Sequence, residues 1–180
     1  MPATGDAAPL FTARPVFGLP VDLKAQVQGG PVLLVFVRSL ASPVTRALLA
    51  RLQAAFPRLD ERGVRVVAVT TSALEPARDF VPRYHVLFPV ICDPTGELFR
   101  RFDVPKDGPG LALLRCLPGL PNLSAALSLG HGRPEPAAWG QRPACYLLDR
   151  GGEVVESWIG SGVWDIPDLA HFEEAACSRS

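Results

Sequence analysis

The chain has 180 residues, 48% of them hydrophobic, and its 18 basic residues balance 18 acidic ones to a formal net charge of zero. That length supports one domain with a substantial core, and that apolar content argues against a disordered chain. The neutral balance offers no footing for a nucleic-acid or anionic-membrane partner, and no apolar run approaches the ~20 residues that span a bilayer.

The cysteines Cys92, Cys116, Cys145 and Cys177 are widely spaced. None forms a C-x-x-C, and no Cys/His set has zinc-finger spacing, so neither a metal nor another cofactor is expected. A disulfide scaffold is not expected in a chain that buries this much apolar surface. The opening MPATGDAAPLF lacks a basic region followed by an apolar core. No secretory leader is read there, and a cytoplasmic location is the expectation.

In chain order, residues 1–30 read as a lead-in. Phe11–Ala13 and Pro15–Phe17 flank a turn at Gly18, and Val21–Leu23 follows, the pattern of a small hairpin at a sheet edge. Gly29-Gly30 then frees the chain to enter Val32–Val37, an unbroken apolar run of the kind that forms a strand buried on both faces. Ser42 stands at an N-cap position and Pro43 at the first helical one. The spacing of Val44, Ala47, Leu48, Leu52, Ala55 and Phe56 predicts a helix that buries that face and ends at Glu61–Gly63. A buried strand that feeds a helix N-terminus is a natural place for chemistry on a developing negative charge.

Val64–Val69 predicts a second buried strand. Ser72 and Glu75 have capping-box spacing ahead of a helix over about Leu74–Tyr84, with Pro82 disturbing its last turn. Phe88–Cys92 reads as a short strand, and Asp93-Pro94 as the cap of a helix that runs through Arg101. Residues 106–141 are rich in Gly, Pro and Leu, with short helices expected near Leu111–Leu117 and Asn122–Leu129. The segment is too apolar for a solvated linker and reads as an insertion over one end of the sheet, a lid or a partner surface. Ala144–Leu148 and Glu153–Ile159 read as an antiparallel hairpin across Asp149–Gly152. Pro167–Ala176 reads as a last helix with Leu169, Phe172 and Ala176 inward. No internal repeat is present. Residues 1–180 are therefore read as a single α/β domain, a mixed central sheet flanked by helices.

Several short motifs along this order resemble the AhpC/TSA (peroxiredoxin-like) family of the thioredoxin-fold superfamily. Gly5-Asp6 with Pro9-Leu10-Phe11 resembles its G-D-x-x-P-x-F opening, and Val35-Phe36-Val37-Arg38 its approach to the redox cysteines. Phe88–Pro94 resembles its F-P-x-x-x-D-P, and Arg142–Gly152 its penultimate strand and D-x-x-G turn. The Leu-rich insertion is similar to one in the peroxiredoxin-like-2 group. The resemblance implies a thioredoxin-like fold and thiol redox chemistry. It also implies redox sulfurs in an F-V-R-x-x-x-C-P-x-C pattern, where this chain has Ser42-Pro43-Val44-Thr45. The other register, T-x-x-C, would place a sulfur at Thr45, and none is there.

That family chemistry needs a thiolate of lowered pKa that is oxidised and then resolved by a second sulfur. A Ser or Thr hydroxyl has no such ladder, and as an acyl nucleophile it needs a neighbouring base. None is evident beside Ser42, since His85, His131 and His171 are remote in sequence. Ser42 is therefore read as a helix cap in preference to a nucleophile, and Thr45 as a first-turn helix residue. Arg38 is either a solvated charge at a strand end or an anion contact. The resemblance implies that Arg142 faces the redox helix, where without a thiolate it is a relic or an ion-pair partner. It also implies a cis peptide at Pro143. Cys92 and Cys145 read as inert buried residues, with displaced thiol chemistry at Cys145 as the minority reading. Cys177 reads as a tail thiol, Cys116 as part of the insertion, and His131 as a loop residue. Trp139, Trp158 and Trp164 read as packing or contact residues.

The function expected is that of a peroxiredoxin-like redox-family protein without the standard cysteines, of little or no intrinsic peroxidase or disulfide reductase activity, acting by binding. The alternatives are an antioxidant thiol oxidoreductase that uses a nonstandard cysteine such as Cys145, and an assembly module built on residues 106–141. The partner expected is another protein or a second copy of the chain, with no nucleic acid and no membrane.

Overall fold

The computed structural model describes residues 2–108, 140–162 and 165–177. Its centre is a mixed sheet of five strands in the order β5-β4-β3-β6-β7. These are β3 (Val32–Val37), β4 (Arg65–Thr70), β5 (Val90–Cys92), β6 (Ala144–Leu148) and β7 (Val154–Ile159). The strands β3, β4 and β5 are parallel, with β4 joining on one side of β3. On its other side β6 runs antiparallel, with Val35 opposite Cys145 and Phe36 opposite Ala144. The hairpin β6–β7 is antiparallel as its turn pattern predicts.

The unbroken apolar run of β3 follows from its central position. Leu33, Val35 and Val37 face one layer, and Val32, Leu34 and Phe36 face the other. The first layer packs against α2 (Pro43–Glu61), α3 (Leu74–Arg83) and α5 (Leu169–Cys177), through Leu48, Leu52, Phe80 and Phe172 among others. The second is closed by α1 (Leu23–Gly29), α4 (Glu97–Arg101) and the first residues of the chain. There Phe36 meets Phe99, Phe102 and Tyr146 at ring separations of 5.0–5.9 Å, and the Tyr146 hydroxyl donates to the Phe102 carbonyl.

The lead-in departs from its expected form. There β1 (Thr12–Ala13) and β2 (Val21–Asp22) pair with each other as a separate sheet of two strands, and isolated bridges join Ala7 to Glu153 and Pro15 to Ile91. Leu23 begins α1 instead of extending a strand, because the Asp22 carboxylate accepts the Lys24 N–H and caps the helix. The capping box before α3 does not form either. The residue at the N-cap is Ala73, while the Ser72 hydroxyl accepts the Leu40 N–H from the loop after β3. Pro94 does not open α4; Gly96 precedes that helix in the left-handed region, which favours glycine. The Asp93 carboxylate nonetheless reaches forward to the N–H groups of Glu97 and Leu98. The helix α5 buries Leu169, Phe172 and Ala176 as expected. The expected helices near 111–117 and 122–129 lie outside the described residues, as do His131, Trp139, Trp164 and Cys116. Among the described residues no helix is long and apolar enough to cross a membrane.

Candidate functional site

At the carboxyl end of β3 the chain turns through Arg38–Ala41 into α2, and the turn is tied down from several sides. The Thr70 hydroxyl donates to the Arg38 carbonyl at 2.6 Å, and Ser72 holds the Leu40 N–H at 2.9 Å. The Ser39 hydroxyl accepts the Ala41 N–H, and the Ser39 carbonyl accepts the Ser42 N–H. From within α2, Arg46 Nε donates back to the Leu40 carbonyl at 2.9 Å.

Ser42 occupies the N-cap position with Pro43 next, as its sequence context predicts. Its side chain caps no N–H group of α2, so the expected capping interaction is absent. The turn is closed by Ser39 instead. Three residues on, Thr45 points inward and is 3% exposed, on the face of α2 that also buries Leu48, Leu49 and Leu52. Val44, expected inside, is only half-buried.

Thr45 borders a cavity of about 10 Å³ together with Arg38, Val44, Pro143 and Asp165. That volume is at the lower limit for a single water, about 10–15 Å³. Of the residues singled out from sequence, Arg38, Thr45 and Pro143 thus come together. Ser42 and Pro43 stand just above them on the helix.

Arg142 and Cys145 do not join this group. Arg142 is engaged by Asp107, with its Nη2 2.6 Å and its Nε 3.1 Å from Asp107 Oδ1. The Asp107 side chain is 3% exposed, so this is the structural ion pair, the second of the two roles read for Arg142. Pro143 has a trans peptide, since no peptide bond among the described residues is cis, and this corrects the cis form that the resemblance implied. Trans is the ordinary state of an X–Pro bond. Cys145 is fully buried beneath α2 and α5, opposite Val35. Burial pushes its thiol well above the ordinary range, which keeps it neutral. Cys92 is half-buried at the end of β5, not buried as its strand context predicts.

The carboxylates of Asp107 and Asp165 are the site features missed from sequence. Asp107 lies in Lys106-Asp107-Gly108, which reads as the start of an insertion. Its role depends on Gly140, whose carbonyl accepts the Asp107 N–H from across a gap of thirty-odd residues. Asp165 sits in a loop without periodicity. One of its oxygens accepts the Ser161 N–H and the Ser161 hydroxyl, both at 2.6 Å, and the Gly162 N–H at 3.3 Å.

The family model for the AhpC/TSA family matches residues 4–157. The chain belongs to the AhpC/TSA family. It is also 28% identical over 101 residues to the thiol-disulfide oxidoreductase ResA of Bacillus thuringiensis. That match covers 56% of the chain and 57% of the relative, so it spans little more than half the relative's length. Among solved structures, peroxidoxin BcpB from Mycobacterium tuberculosis superposes with a TM-score of 0.70 over 99% of this chain and 96% of that one, at 17% identity. The reduced 2-Cys peroxiredoxin of Plasmodium vivax gives a TM-score of 0.70 at 16% identity, covering 94% of this chain and 78% of that one. A thiol:disulfide interchange protein DsbE from Chlorobium tepidum gives 0.64 at 21% identity, covering 99% of each. These structures share the thioredoxin-like fold with this family member.

Proposed function

We propose that this AhpC/TSA-family protein retains the redox scaffold of its relatives without their thiol catalysis and acts by binding. One observation carries the reading. Thr45, a hydroxyl residue, fills the inward position at the start of α2, against a cavity no larger than about 10 Å³. A hydroxyl there has no sulfenate or disulfide to form. The thiol route through Cys145 is disfavoured by the same chemistry that makes thiols reactive. A nucleophilic cysteine is a partly exposed thiolate in electropositive surroundings, whereas Cys145 is sealed and held protonated. What binds is expected to be another protein or a second copy of this chain.

The test is hydrogen peroxide consumption and disulfide reduction by the full chain with a thiol reductant present. Both rates are expected to equal the protein-free background. Turnover above background overturns the reading, and its loss on Cys145→Ser would assign the activity to that thiol.

A further inference from the structure

We draw no further inference here: the strongest candidate, the groove of about 350 Å³ between α2 and the start of α5 that Arg51, Arg58 and Asp168 line, carries nothing, because Arg58 is taken by Glu173, Asp168 accepts the Ala170 N–H of its own helix, and nothing in the structure shows what covers the groove.

Discussion

At the scale of single residues, side-chain burial separates what helical spacing reveals from what it hides. The pattern of α2 placed Val44, Ala47 and Phe56 inside, but the buried face is rotated toward Thr45, Leu49 and Leu59. A periodicity count scores Thr as polar and so does not see a hydroxyl that the fold holds at 3% exposure. Cys145 was legible, because a cysteine within an apolar strand is ordinarily an inert core residue. Its burial has a pH consequence. The folded thiol holds its proton more tightly than the unfolded one, whose pKa is about 8.5. Above that pH the native state therefore binds more protons than the unfolded state, and stability falls as pH rises. The Tyr146 hydroxyl is shifted in the same direction, chiefly by burial. Urea unfolding midpoints are expected to fall between pH of about 8.5 and about 10. Cys145→Ala should be less stable at neutral pH and show a shallower fall over that interval. Identical slopes for the two proteins would exclude Cys145 as a contributor.

At the scale of elements, the described strands and helices from β3 onward were legible in order and type, whereas α1 was read as part of a hairpin, and element ends followed contacts made by residues distant in sequence. Ser72 has the right spacing to cap α3, yet its hydroxyl is taken by Leu40 from another loop. Asp93 was read as the N-cap of α4, but Gly96 holds that position and the Asp93 carboxylate reaches the first N–H groups of the helix from across a turn. The last helix gives the clearest example of an interaction with no local signature. Glu173 of α5 accepts from Arg58 Nη2 at 2.8 Å and Nε at 3.0 Å, and Arg62 lies 3.6 Å away. Glu173 is 11% exposed while Arg58 is 57% exposed, so the carboxylate carries the larger desolvation cost and depends on this fork. Because the arginines stay solvated, Glu173→Gln is expected to cost only about 1 kcal/mol. Denaturant unfolding should show a lower midpoint with an unchanged m-value, while Glu174→Gln on the exposed neighbour should show neither change. An equal effect of both substitutions would mean that general charge, and not this pairing, sets the stability of the α2–α5 contact.

At the scale of the whole molecule, the sheet order follows from the alternation of strands and helices, and the family motifs were legible because each lies at a turn or strand end. The part that sequence left open is how residues 106–141 leave and rejoin the sheet, since a Gly- and Pro-rich stretch carries no periodicity to read. Its two ends form a closed stem. Lys106 bridges Gln141, the Asp107 N–H donates to the Gly140 carbonyl at 2.8 Å, and the Arg142 N–H donates to the Pro105 carbonyl at 3.1 Å. The Gln141 amide reaches the Pro105 carbonyl as well, and Arg142 forks onto Asp107. Gly140 has φ of +73°, and a Cβ there would lie 2.1 Å from the Asp107 carbonyl oxygen, so glycine alone permits this approach. With the strand ends already a hydrogen bond apart, the core needs no more than a hairpin-length connection, about 2–5 residues, to close. Replacing residues 109–139 with a linker of about three glycines is thus expected to leave a cooperatively unfolding core with an intact near-ultraviolet spectrum. Adding Gly140→Ala to that shortened chain should destabilise it by clashing with the stem. A shortened chain that loses cooperative unfolding would show that the segment is part of the core. Cooperative unfolding with unaltered stability on Gly140→Ala would show that the stem is not what closes it.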